Sequence, residues 1–394
     1  MPPNHSLLSS LIRPPQLQED TDRTATRLEL FFDLAFVLAV AQAADRLSGD
    51  LSGHGAAISA GLITVVWWAW ASSTLYANRF DTDDVVYRLS KLAGMAAVVV
   101  LAAAAPAASG AGGWRFALGY AVLRLILVLQ YARAYWHVPS TRDAIRPYLY
   151  GHAASGLLWA VSIGVPGPAR FWLWGAGVAL EFAAPLVAGV TAGESAPLHL
   201  EHLPERFALF VILVLGESIT AITMGLQQSR WDARSVTAAV PAFVIAAVLW
   251  WMYFDLAGAA AKRRLQQEGP HSRFGVHDRY LFAHLPLAAG LLAVGVGLEH
   301  TITDAAEGGT TTGTRSTLVA GLVLTLLVMV LLQAFTEQSW AGLLWPGLGI
   351  PAALAIEVLA SGTAAVALIA TTLVIGLVIG LVRRENGDLP TTEV

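Results

Sequence analysis

Long apolar runs separated by short polar connectors set the pattern of this chain. Runs long enough to cross a bilayer, which takes roughly 20 helical residues, fall near 28–47, 56–77, 88–108, 114–136, 148–165 and 171–190. Six more fall near 206–227, 235–257, 279–299, 315–334, 342–359 and 363–382. Gly, Pro or charge marks the breaks between them. The pattern predicts an all-α polytopic membrane protein with about twelve transmembrane helices.

Two stretches open alike. Arg27-Leu28-Glu29-Leu30-Phe31-Phe32-Asp33 and Arg206-Phe207-Ala208-Leu209-Phe210 each lead into an apolar run. An aromatic cluster follows each at a similar offset: Trp67-Trp68-Ala69-Trp70 and Trp250-Trp251-Met252-Tyr253. Recurring landmarks of this kind predict two six-helix repeats, residues 27–190 and 206–382, joined by a connector at 191–205. An even number of spans returns the second half to the side where the first began, so the repeats are parallel. Residues 1–26 lack the layout of a secretory signal and read as a disordered cytoplasmic lead, with residues 383–394 as a cytoplasmic tail.

Composition narrows the class. Only 13% of the residues are charged, against about 25% in soluble domains, and the mean hydropathy is +0.59. Lipid is the expected solvent and membrane lipids the expected partners. The net charge is −4 and the basic residues are spread through connectors, so no nucleic-acid-binding face is expected. With no cysteine, disulfides, thiolate nucleophiles and iron–sulfur clusters are excluded. Arg and Lys gather in the connectors that an even span count places inside, which predicts both termini cytoplasmic.

Four ordered motifs then carry a resemblance. They are Arg27-x-Glu29-Leu30-Phe31-Phe32-Asp33-Leu34, Tyr76-Ala77-Asn78-Arg79-Phe80-Asp81-Thr82-Asp83-Asp84, His202-x-x-Glu205-Arg206-Phe207 with Leu215-Gly216-Glu217-Ser218, and Trp250-Trp251-x-Tyr253-Phe254-Asp255. Together they resemble the bacterial low temperature requirement protein A family, over about residues 23–385. The resemblance implies a polytopic membrane protein needed for growth in the cold, with no biochemical activity attached. Arg27-x-x-x-Phe31-Phe32-Asp33 is also similar to the first-helix motif of the two-repeat potassium channels of lysosomes, with Phe in place of Ser. The second half departs further, reading Arg206-x-x-x-Phe210-Val211-Ile212.

An ionisable group deep in lipid costs about 2.5–3.5 kcal/mol on insertion scales, so it normally faces a partner or a water-filled path. On the first span, Glu29 and Asp33 share a helical face and Arg27 precedes them. Two readings stand: an Arg–carboxylate clamp to a neighbouring helix, or a direct ion or proton role. Further along, Arg206, Phe210, Leu213 and Glu217 form one stripe of the seventh span, with Ser218 and Thr220 adding hydroxyls. Glu217 is the foremost functional candidate, with an interhelical hydrogen bond as the plainer reading. Glu181 lies one turn before Pro185, where a kink would free a carbonyl beside the acid. Arg124 is a lone cation inside a span and calls for one of these acids as its partner.

The remaining clusters point less sharply. Arg79, Asp81, Asp83 and Asp84 read as an inner salt-bridged latch, since the calcium-loop pattern is absent. His199, Glu201, His202 and Glu205 match no zinc spacing, and His284 reads as a packing residue. The tryptophans suit an interfacial belt or helix packing. Lys262-Arg263-Arg264 reads as a topology signal, and Gly376-x-x-x-Gly380 permits close helix packing. No cofactor and no metal are expected. The reading is a transporter or channel-like permease for a small cation, proton or solute, compatible with a homo-oligomer. The alternatives are a membrane-embedded enzyme on a lipid or isoprenoid substrate, drawing on Asp81, Asp83, Asp84 and His202, or an accessory protein. No nucleotide motif, nucleophile elbow or zincin helix supports an enzyme.

Overall fold

The computed structural model describes residues 12–18, 26–191, 203–257, 276–334, 349–350 and 363–385. Among these residues eleven long helices form from the apolar runs: α1 (Arg27–Ser48), α2 (Gly53–Arg79), α3 (Val85–Ala104), α4 (Gly113–His137), α5 (Arg142–Ser162), α6 (Ala169–Thr191), α7 (Leu203–Gln228), α8 (Ala233–Trp251), α9 (Val276–Glu307), α10 (Thr312–Ala334) and α11 (Thr363–Glu385). A π-helical turn, Met252–Ala257, continues α8. Two short strands, β1 (Gln16–Leu17) and β2 (Phe80–Asp81), pair antiparallel, with Gln16 opposite Asp81.

Local chemistry sets the helix starts. Thr26 and Glu29 form a capping box on α1: the Glu29 N–H donates to Thr26 Oγ1 at 3.2 Å and the Thr26 N–H to Glu29 Oε2 at 2.9 Å. Asp84 caps α3 by accepting from the Tyr87 N–H at 2.9 Å, and Asp232 caps α8 by accepting from the Arg234 N–H at 2.9 Å. Prolines inside α5, α6, α8 and α9 are of the kind neighbouring helices accommodate in membranes.

The chain divides into two compact units. The first takes residues 1–42, 64–206 and 268–278; the second takes 43–63, 207–267 and 279–394. In the first, α3 packs on α4, α4 on α5 and α5 on α6, as short connectors require of successive helices. Its core is aromatic, built on Trp67, Trp68, Trp70, Tyr76, Tyr120, Tyr131 and Trp159. In the second unit α11 packs on α8 and α10 on the π-helical turn, and the core is aliphatic, with Val214, Leu287, Leu291, Leu322 and Leu326 sealed inside. There α9 and α10 come so close that a Cβ on Gly321 would stand 2.7 Å from the Val294 nitrogen, a backbone approach that only glycine allows.

The helices are inside out relative to those of a soluble protein. On α1 the exposed face carries Leu30, Phe31, Leu34 and Leu38, while Glu29 and Asp33 are buried. On α4 the exposed stripe is Leu118, Val122, Leu125, Leu129 and Trp136, and the buried one holds Tyr120, Arg124 and Tyr131. On α3 Val85, Val86, Leu89, Leu92, Val99 and Val100 face out while Lys91 is buried. Contiguous apolar stripes on this scale mark a surface meant for lipid.

Among the described residues nine helices are long and apolar enough to cross a membrane. The sequence pattern predicts about twelve. Two of the difference are α1 and α5, of 22 and 21 residues, the first interrupted by charged residues and the second by polar ones. In α1 the acids Glu29 and Asp33 are turned into the protein. The run expected near 342–359 lies, apart from 349–350, outside the described residues, as do most of residues 1–26, most of the connector at 191–205, and the chain beyond 385.

Candidate functional site

Among the described residues three buried charge clusters stand out, two in the first unit and one in the second. The first gathers on α1. Arg206 Nη2 donates to Asp33 Oδ1 at 3.0 Å, and Arg206 Nη1 lies 3.9 Å from Glu29 Oε2. The Trp70 indole N–H donates to the same Asp33 oxygen at 2.9 Å. Lys91 is within electrostatic reach of both acids and rests over the Phe32 ring at 4.3 Å. Two acids thus meet two cations, so the cluster is balanced in charge. Arg27, expected in this clamp, is exposed, and the guanidinium beside Glu29 and Asp33 is that of Arg206.

The second cluster is sealed. Arg124 is 1% exposed and Glu181 0%, with Arg124 Nη1 3.5 Å from Glu181 Oε2. The Tyr120 hydroxyl donates to Glu181 Oε2 at 2.8 Å, and the Arg124 guanidinium sits 4.3 Å from the Tyr120 ring centre. Arg124 also donates to Ser72 Oγ at 2.7 Å, which donates in turn to the Trp68 carbonyl at 2.6 Å. His152 Nδ1 stands 3.7 Å from Glu181 Oε1. Gly156 on α5 makes room for the arginine: a Cβ there would lie 3.1 Å from Arg124 Cβ. Four helices therefore hold one ion pair dry.

The third cluster belongs to the second unit and centres on Glu217. Its residue is 8% exposed, and among the described residues its carboxyl makes no hydrogen bond and no ion pair. Among the described residues the charged groups that act on it are Asp45 and Glu299, both acids. Glu299 accepts from the Gln228 amide at 3.0 Å and from Ser48 Oγ at 3.4 Å, and His300 Nε2 lies 3.0 Å from the same hydroxyl. Ser218 is buried where α9 comes close: a Cβ on Gly295 would stand 3.2 Å from its Oγ. Thr220 faces outward and bonds to the Gly216 carbonyl at 3.3 Å. Among the described residues no group of three or more acids or histidines could hold a metal ion.

The segment after α2 forms a latch on α4. Arg133 grips Asp84 with both nitrogens, at 3.1 Å to Oδ1 and 2.6 Å to Oδ2, a bidentate pair. Arg133 also donates to the Arg13 carbonyl, and the Arg13 N–H reaches Asp84 at 3.3 Å. Asp83 pairs instead with Arg88 on the surface, at 2.8 Å. Burial pushes the Asp84 carboxyl up, but the Arg133 and Tyr87 hydrogen bonds outweigh it and leave the group below its ordinary value. A group depressed on folding stabilises the fold above its unfolded value, about 3.9, and loses that contribution as pH falls through its folded value. Below about pH 4 the protein should therefore lose stability in part through Asp84. Thermal melts across this range should show the loss in the native chain and a shallower one in Asp84→Asn, which should already be weaker at neutral pH.

The tryptophan clusters diverge. Trp67, Trp68 and Trp70 are buried, the first two packed against Phe182 at 6.4 and 4.8 Å, whereas Trp250 and Trp251 are exposed. His284 is satisfied on both nitrogens, its Nδ1–H donating to the Tyr280 carbonyl at 2.7 Å and its Nε2 accepting from Tyr253 at 2.8 Å. His199, Glu201, His202 and Lys262-Arg263-Arg264 lie outside the described residues. Sequence reasoning missed Lys91, Asp45, Glu299 and His152. Lys91 carried a signal, being one of two lysines in the chain. So did the Thr26-x-x-Glu29 capping pattern. Nothing local distinguishes Asp45 or Glu299 from ordinary helix-end acids.

Comparison with known proteins bears on what this architecture is. No solved structure matches the chain. An uncharacterized protein, RA0937, of Rhizobium meliloti (strain 1021) is 30% identical over 308 residues, covering 74% of this chain and 73% of that protein. Residues 24–380 match the family described as bacterial low temperature requirement A protein, LtrA. The matched region holds the lipid-facing helices and all three charge clusters. This integral, multi-pass membrane protein belongs to the bacterial low temperature requirement A family.

Proposed function

We propose that the protein is a transporter or channel-like permease of the bacterial inner membrane, moving or coupled to a small cation or a proton. In this reading its spans number twelve, laid out as two parallel six-helix repeats with both termini cytoplasmic. The observation that carries it is the isolation of Glu217. Glu29 and Asp33 answer to Arg206 and Lys91, and Glu181 answers to Arg124. Glu217 has only acids for charged neighbours among the described residues. A carboxylate in such a setting is costly unless a cation or proton neutralises it, and the Ser48 and Gln228 groups around Glu299 add oxygen and amide contacts along the same helices.

The test is flux. Purified protein sealed into vesicles, with a potassium diffusion potential imposed and internal pH followed by a dye, is expected to admit protons or the coupling cation faster than protein-free vesicles. Equal rates, across a panel of monovalent cations and protons, would defeat the reading. A requirement for such flux in the cold ties the proposal to the family's name, and growth of a deletion strain at two temperatures checks that part.

A further inference from the structure

Arg79, the last residue of α2, is a buried cation that lies outside the three clusters. It is 4% exposed, yet among the described residues no carboxylate oxygen comes within 4.0 Å of its guanidinium. Its Nε and Nη1 carry no hydrogen bond among the described residues. The latch beside it offers no relief, because Asp84 is taken by Arg133 and Asp83 by Arg88. Asp278 pairs with His277 at 3.2 Å, and its charge is felt by Tyr148.

What surrounds Arg79 is hydroxyl and ring. The guanidinium lies 5.0 Å from the Tyr148 ring centre and within reach of its hydroxyl. Tyr131 stacks on Tyr148 at 5.7 Å and feels the Arg79 charge. The Tyr131 hydroxyl is buried and has no hydrogen-bond partner among the described residues. The rings lend cation–π attraction, and the negative end of α2 favours a cation. Neither supplies an acceptor for two buried guanidinium N–H groups, and together they fall well short of offsetting a buried unpaired charge. A cation, an unused phenol donor and a second phenol converge at one end of a spanning helix.

We infer that Arg79, Tyr131 and Tyr148 form a binding site for a phosphate-type oxyanion. Guanidinium N–H groups that lack an acceptor among the described residues suit the oxygens of a phosphate, and the phenols supply further donors. Arg79 is the last residue of its spanning helix, so the phosphate is either that of an anionic lipid or free in solution. This site is separate from Glu217 and does not depend on the permease reading.

The experiment uses the full chain purified in neutral detergent, with its melting midpoint followed at constant ionic strength. Sodium phosphate is titrated in one arm and phosphatidylglycerol in the other, with sodium chloride and phosphatidylcholine as matched controls. A ligand that binds only the folded state raises the midpoint with concentration, so the native protein should respond to phosphate, to phosphatidylglycerol or to both. A response to phosphate without lipid identifies free anion as sufficient, and a response to phosphatidylglycerol alone identifies the headgroup. Arg79→Met should abolish the response, and Tyr131→Phe should raise the concentration needed by about tenfold. Should Arg79→Met fail to fold, Tyr131→Phe carries the test, since it keeps the charge and removes one donor. The inference is overturned if neither probe shifts the native midpoint, if Arg79→Met is more stable than the native chain without responding less, or if Tyr131→Phe leaves the response unchanged.

Discussion

Arg124→Met is expected to destabilise the protein by about 3–5 kcal/mol, because it strands the Glu181 carboxylate in a core that water does not reach. The size follows from the sealing. Both partners are essentially fully buried, and with the guanidinium gone the acid keeps Tyr120, a donor at 2.8 Å, and the more distant His152, neither of them a permanent charge. The double variant Arg124→Met, Glu181→Met removes both charges and is expected to regain most of the loss, since a buried pair replaced by apolar side chains is often neutral or better. Denaturant unfolding in detergent of the two single variants and the double one reads this directly. A single-variant loss under about 1 kcal/mol, the worth of an exposed pair, would mean that the cluster is wetter than its geometry.

Glu217→Gln should do the opposite, abolishing flux in vesicles while leaving stability within about 1 kcal/mol of the native chain. Among the described residues the carboxyl has no partner to lose, and the neutral amide removes repulsion from Asp45 and Glu299. Loss of flux with an unchanged melt would separate function from folding at this position. Glu299→Gln should weaken flux less, because its Gln228 and Ser48 contacts survive in part. Native flux in Glu217→Gln would remove this residue from any pathway and leave the permease proposal without its main support.

The candidate residues are legible in the sequence as a class. Glu29, Asp33, Arg124, Glu181, Arg206 and Glu217 stand out because charge within a span of roughly twenty apolar residues is costly, and each is buried in the structure. Their pairing is not legible there. Arg27 lies within one helical turn of Glu29 and points to solvent or lipid, while Arg206, far along the chain, occupies the place beside Asp33 at 3.0 Å.

The sequence by itself determined that this is a multi-pass helical membrane protein of its family, because span length, charge scarcity and ordered motifs are properties of the chain read in one dimension. Tertiary structure alone decided which acids are neutralised and which stand apart. It turned Lys91 toward Glu29 and Asp33, closed Arg124 onto Glu181, left Glu217 among acids and set Arg79 against tyrosines. Coulomb energy depends on distance and on the surrounding medium, and both exist only once helices distant in sequence have packed.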